Sequence, residues 1–134
     1  MSSCEWAANL AVDYLGAMEA RDLDAARRLV APGDLDIVFP GGRRFTRIEE
    51  IVANSSGRYR IVKKRITGCT AWESGPRAHV MITGTLYGEW PDGAPFEGIR
   101  FCDWFELQDG LIVKQHVWND AGERLLALGR GTEA

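Results

Sequence analysis

Apolar residues recur at helical spacing in the first part of this chain and at every second position from about residue 59 to residue 119. The first period marks amphipathic helices and the second marks half-buried strands. Trp6, Ala7, Leu10, Ala11, Tyr14 and Met18 make one helical stripe behind a capping box formed by Ser2 and Glu5. That helix is predicted to run to about Ala20. Asp22 is placed to cap a second helix, Leu23 to Val30, stopped by Pro32-Gly33. Leu35 to Phe39 reads as a short strand ended by Pro40-Gly41-Gly42. Thr46 and Glu49 form another capping box, opening a third helix that buries Ile48, Ile51 and Val52 and stops at Gly57.

Four strands follow: Tyr59 to Trp72, Arg77 to Trp90, Pro95 to Leu107 and Leu111 to Asn119. Ser74-Gly75-Pro76 and Pro91-Asp92-Gly93 divide them, and Asp109-Gly110 is a strong hairpin signal between two apolar runs. Helices first and strands afterwards give an α+β layout. The expectation is three N-terminal helices packed on a strongly curved antiparallel sheet, closing a cone with an apolar pocket at its open end. One domain is expected over residues 1–134, with its core at about 5–120, a C-terminal tail at 121–134, and fraying after Gly129.

Strand alternation sorts the candidate chemistry. Ile99, Phe101, Asp103 and Phe105 share one face, so an acid interrupts an otherwise apolar surface. Val80, Ile82 and Leu86 point inward, while His79, Met81, Thr83 and Thr85 point outward. Cys102 and Trp104 share the outward face of their strand, and His116 and Trp118 that of the next.

Composition narrows the function classes. The chain is 46% hydrophobic and 26% charged, ordinary for a soluble globular protein. A net charge of −3 argues against nucleic acid as a partner, and the run Arg58-Tyr59-Arg60 with Lys63-Lys64-Arg65 reads as a solvated strand face. No apolar run is long enough to span a bilayer, and the N-terminus lacks a charged leader, so no membrane partner is expected. Cys4, Cys69 and Cys102 fit free thiols in a reducing cytoplasm. His79 and His116 are not spaced as metal ligands; no metal and no cofactor are expected.

Tyr14, Asp22-Leu23-Asp24-Ala25, Gly84-Thr85-Leu86-Tyr87-Gly88, Asp109-Gly110-Leu111-Ile112 and Trp118-Asn119-Asp120 together resemble the SnoaL-like members of the nuclear-transport-factor-two-like superfamily. The resemblance covers roughly Glu5 to Asp120. It implies the cone-shaped fold and small-molecule binding, but not one reaction. It puts Tyr14 and Asp103 on the oxyanion-hole pair of ketosteroid isomerases, whose acid is kept neutral so that it can donate. Phe39, before Pro40, stands where those isomerases carry their general base. Val117 stands where SnoaL-type polyketide cyclases carry an aspartate. Gly84-Thr85-Leu86 and Val117 lack the charged set of limonene-epoxide hydrolases. The resemblance also turns Gln115, Val117 and Asn119 inward.

The expected site therefore has Tyr14 and Asp103 as catalytic candidates, meeting at hydrogen-bonding distance or through one water. Asp103 otherwise pairs with an arginine such as Arg100 or Arg43 at the rim, or faces water after a β-bulge, and Tyr14 is otherwise a satisfied core tyrosine. Gln115 and Asn119 either orient a ligand oxygen, or fill space and cap the strand end respectively. Met18, Phe39, Ile51, Val80, Ile82, Phe101, Phe105, Gln115, Val117 and Asn119 are expected to line the pocket. Arg43-Arg44 either clamp an acidic group at the cone mouth or are solvated loop charges. The partner is expected to be a small apolar molecule bearing a carbonyl or hydroxyl. Its fate is isomerisation, cyclisation or dehydration, or else carriage without catalysis. A homodimer is expected through the outer sheet face of Met81, Trp104, His116 and Trp118, unless the segment Glu123 to Leu128 covers that face.

Overall fold

A computed structural model describes residues 4–129. Ser2, half of the first expected capping box, and the tail beyond Gly129 lie outside the described residues. Helix α1 (Glu5–Glu19) buries Ala7, Ala11, Tyr14, Leu15 and Met18, the stripe that its periodicity marks. Asp22 caps α2 (Leu23–Arg27) by accepting from the Ala25 N–H at 3.1 Å. The helix is shorter than expected because Val30 leaves it to bridge Ile112 in parallel.

β1 (Asp36–Phe39) turns at Gly41 and Gly42, both at positive φ, into β2 (Arg43–Phe45). The sequence pattern does not mark this second strand. Three residues that include two arginines offer no apolar alternation to betray it. The next helix, α3 (Ile48–Arg58), buries Ile48 and Ile51. Its cap is shifted by one residue from the expected Thr46–Glu49 box. Glu50 accepts the backbone N–H of Thr46 and Arg47 at 2.8 and 3.1 Å, while Glu49 pairs with Arg27. Gly57 lies inside the helix rather than ending it.

β3 (Ile61–Ser74), β4 (Arg77–Glu89), β5 (Pro95–Gln108) and β6 (Leu111–Asn119) form the antiparallel meander. The strand order is β2-β1-β6-β5-β4-β3, and β1 runs parallel to β6, so the sheet is mixed and open rather than wholly antiparallel. Asp109 and Gly110 both have positive φ, as a two-residue hairpin turn demands. A fourth helix, α4 (Ala121–Ala127), adds to the three expected.

Two devices shape the concave face. In β5, Glu97 and Gly98 interrupt the register with β4, and Gly98 takes a φ of +75°. This bulge lets Phe96 and Ile99 both point inward although they are three residues apart. In β4, Gly84 brings its backbone so close to β3 that an added Cβ would lie 1.9 Å from the Arg65 carbonyl oxygen. No larger residue fits that approach. Helices and sheet then bury Tyr14, Ile37, Val80, Ile82, Ile99, Phe105, Leu107 and Ile112 in one core. Each fully buried aliphatic or Phe side chain contributes roughly 1.5–3 kcal/mol. Among the described residues no helix is long and apolar enough to cross a membrane.

Candidate functional site

Where α1, α3 and the concave face converge, they leave a cavity of about 80 Å³. Leu15 and Met18 come from α1, Ile51 from α3, and Phe39 from the end of β1. Leu86, Phe101 and Val117 complete its apolar wall. The polar part of the wall is Lys64, Asp103, Gln115 and Asn119, with Glu19, Arg21, Arg43, Asn54, Ser55 and Arg58 around the rim.

Asp103 sits on the inner face of β5 with 1% of its surface exposed. Its Oδ2 accepts from Gln115 Nε2 at 3.3 Å, and its Oδ1 has no hydrogen-bond partner. Gln115 Oε1 in turn accepts from the Tyr14 hydroxyl at 2.8 Å. Tyr14 and Asp103 are therefore joined by an amide rather than by a direct bond or a water, which corrects the expectation. Tyr14 stands behind Gln115 with its ring edge against Phe105 and does not reach the cavity wall. Loss of hydration raises the Asp103 pKa above the usual carboxylate value; the Lys64 charge and the Gln115 hydrogen bond oppose that effect without cancelling it. Burial likewise raises the Tyr14 hydroxyl, helped by the neighbouring Asp103.

Of the residues expected to line the pocket, Met18, Phe39, Ile51, Phe101, Gln115, Val117 and Asn119 do border the cavity. Val80, Ile82 and Phe105 are inward but lie behind its wall, buried in the core. Asn119 also ties β6 to the start of α4, because its Oδ1 accepts the Ala121 N–H at 3.0 Å. Neither arginine weighed as a partner of Asp103 takes that place. Arg100 pairs with Asp120, and Arg43 donates to Asn54 Oδ1 at 3.1 Å.

Lys64 is a site residue that the sequence pattern hides. Its neighbours Lys63 and Arg65 suggest a solvated face, yet alternation turns Lys64 alone of the three toward the cavity. Its ammonium lies 5.5 Å from the centre of the Phe101 ring. Its backbone N–H donates to Glu19 Oε1 at 2.8 Å, fixing the end of α1 to β3. Strand parity with Val62 is the signal that could have found it. Among the described residues no three His, Cys, Asp or Glu side chains converge as metal ligands would.

On the convex face, Trp72, His79, Trp104, His116 and Trp118 make a continuous ladder of rings, with successive centres 5.1 to 6.3 Å apart. Cys102 Sγ meets Met81 Sδ at 3.0 Å beside it. Glu106 anchors the polar part of this face through Arg77 at 2.6 Å and Lys114 at 2.9 Å. The α4 helix does not cover the ladder. Its Leu125 packs on the core and its Arg124 reaches the Glu97 carbonyl, which leaves Trp118 53% exposed.

No family model matches this chain. No curated protein matches it either. Solved structures do. A protein named as a SnoaL-like polyketide cyclase, from Jannaschia sp. CCS1, superposes with a TM-score of 0.74 at 17% identity, covering 100% of this chain and 98% of that one. An NTF2-like protein of unknown function from Burkholderia pseudomallei K96243 gives 0.73 at 18% identity, over 94% and 97% of the two chains. TerC, co-crystallised with polyporic acid, gives 0.71 at 18% identity over the same shares. With the mixed curved sheet, the helices over its concave face and the cavity between them, these superpositions give this chain the nuclear-transport-factor-two-like fold.

Proposed function

We propose that this protein binds a small, mainly apolar molecule through a carbonyl or hydroxyl oxygen, without a cofactor. The observation that carries the reading is Asp103, a residue of the cavity wall whose Oδ1 is buried and has no hydrogen-bond partner. Leaving such a group unpaired costs about 1–3 kcal/mol, which a ligand bond recovers. Burial favours the protonated carboxyl, and in that form the proton sits on Oδ1, since Oδ2 accepts from Gln115. It then donates to the ligand oxygen. Gln115 and Tyr14 act one and two residues back, fixing the carboxyl by a relay of hydrogen bonds.

Polarising that oxygen supports isomerisation, cyclisation or dehydration, each of which also needs a proton acceptor. Glu19 is the other carboxylate on the cavity wall among the described residues and is the group available for it. A carrier without catalysis is the second reading. Phe39 and Val117 favour it, because both border the cavity where the resembling enzymes carry acids.

Two further parts of the reading concern context. The ring ladder, with Trp72 and Trp118 exposed, suits a second copy of this chain across a two-fold axis. The thiols suit a cytoplasmic setting.

The test of the site is extraction of the purified protein and mass spectrometry of what it retains. Wild type should carry a ligand that Asp103→Asn protein loses or retains at a lower level. Equal retention by both removes Asp103 from the site.

A further inference from the structure

The rim of the cavity is cationic although the chain as a whole has a net charge of −3. Arg21, Arg43 and Arg58 stand on it, with Lys64 inside and Glu19 as the rim carboxylate. Elsewhere Arg27, Arg44, Arg60, Arg77 and Arg100 each have a carboxylate within ion-pair distance. The rim arginines, like Arg65 over the Tyr87 ring and Arg124 at the Glu97 carbonyl, have no such carboxylate partner. Arg21 donates to the Met18 carbonyl at 2.8 Å and to Ser55 Oγ at 3.3 Å. Arg43 donates to Asn54 Oδ1 at 3.1 Å, and the Arg58 and Arg43 charges both act on the Tyr59 hydroxyl. Neutral acceptors thus hold Arg21 and Arg43 in place, and none of the three rim arginines has a carboxylate within ion-pair distance among the described residues. Like charges held on one rim repel, and a cleft lined by one sign concentrates counter-ions at its mouth.

We propose that this rim receives the carboxylate of an amphipathic acid whose apolar, oxygen-bearing end enters the cavity toward Asp103. The inference rests on the ligand-binding reading of the cavity and adds the charge class of the ligand. Three observations shape it. The enclosed space of about 80 Å³ is well below the roughly 300–1,000 Å³ of sites that engulf a drug-sized ligand, so only the head of the molecule is enclosed. The remainder must lie across the mouth, between the end of α1, the last turns of α3 and the β1–β2 hairpin, which is where the arginines are. Guanidinium forks match a planar carboxylate by paired N–H donation.

The experiment compares three probes with one ring system: 2-naphthoate, uncharged 2-naphthylmethanol and 2-naphthyl phosphate. Each is titrated by calorimetry into wild type, Arg43→Gln/Arg58→Gln and Arg21→Gln protein, with thermal melts confirming that the variants are folded. Naphthoate should bind about tenfold or more tighter than the alcohol, the scale of one or two charge-assisted hydrogen bonds. In the double variant naphthoate should weaken by about that factor while the alcohol changes less than about twofold. Arg21→Gln should show the same pattern in smaller measure. Equal affinity for acid and alcohol overturns the inference and leaves the cavity reading standing. So does an acid preference that survives the double variant, or tighter binding of the phosphate than of the carboxylate. Failure of all three probes to bind wild type overturns both.

Discussion

Gln115 Nε2 donates to Asp103 Oδ2 at 3.3 Å, and this one amide decides how the buried polar groups of the cone are satisfied. The amide faces a donor on one side and an acceptor on the other, with Tyr14 2.8 Å from its oxygen. Had any member of the relay been apolar, its neighbours would have lost a hydrogen-bond partner in the buried interior.

The relay predicts non-additive energetics. Gln115→Leu strands both the Tyr14 hydroxyl and Asp103, and should cost about 1–3 kcal/mol for each group left unpaired. Tyr14→Phe strands the Gln115 oxygen alone and should cost less. The Tyr14→Phe/Gln115→Leu double variant should be less destabilised than the two single losses added together, because one removes the partner that the other strands. Urea denaturation measures all three. Simple additivity would separate Tyr14 from the relay.

Asp103 predicts the sign of a pH effect. A carboxyl whose folded pKa is raised adds stability that is complete below its unfolded value, near 3.9, and is lost as pH rises through the folded value. Asp103→Asn removes that loss. The variant should therefore gain on wild type in thermal melts as pH rises from about 4 toward neutrality. Glu106 works the other way. Burial alone would raise its carboxyl, but hydrogen bonds from Lys114 and Arg77 prevail and hold it below the usual value. Its contribution is present above the ordinary carboxylate range and is lost on acidification, so Glu106→Gln should be less stable than wild type at neutral pH and converge with it in acid. An Asp103→Asn curve parallel to wild type would remove the buried-acid assignment.

Two glycines should respond to alanine in opposite directions. At Gly84 the new methyl meets the Arg65 carbonyl oxygen at 1.9 Å, and backbone cannot step aside as a side-chain tip can. Gly84→Ala should cost at least the roughly 1–3 kcal/mol of an overpacked core. Gly57 lies in α3 with nothing within 4 Å of its added Cβ. Gly57→Ala should stabilise by up to about 1 kcal/mol through helix propensity. Denaturation midpoints for the pair check the close approach of β3 and β4 against a general intolerance of larger side chains.

The convex ring ladder predicts a homodimer. Light scattering at micromolar concentration should give twice the chain mass. Trp104→Glu or Trp118→Glu should dissociate the assembly, because each places an unpaired charge among aromatic anchors. A wild-type monomer under these conditions refutes the dimer.

Local rules determined much of this protein from its sequence. Helical spacing marked Tyr14 and Met18 as buried, strand alternation turned Asp103 inward and His116 outward, and Asp109-Gly110 fixed the last hairpin. These outcomes depend on periodicity and turn chemistry, which act within a few residues. Tertiary structure decided the rest. β2 exists because β1 offers it an edge, the chain before β1 gives up a turn of helix so that Val30 can meet Ile112, and Glu50 rather than Glu49 is aimed back at the cap. The meeting of Tyr14, Gln115 and Asp103 spans 101 residues of chain, and no local pattern encodes which of three inward polar groups will touch which. The same holds for Lys64, whose polar company in sequence suggests solvent. Its direction follows from parity, but its nearness to Phe101 and its influence on Asp103 come from the curl of the sheet, which carries β3 over the concave face. That curl sums close backbone approaches and register shifts along several strands, and it becomes determined only when all of them pack together.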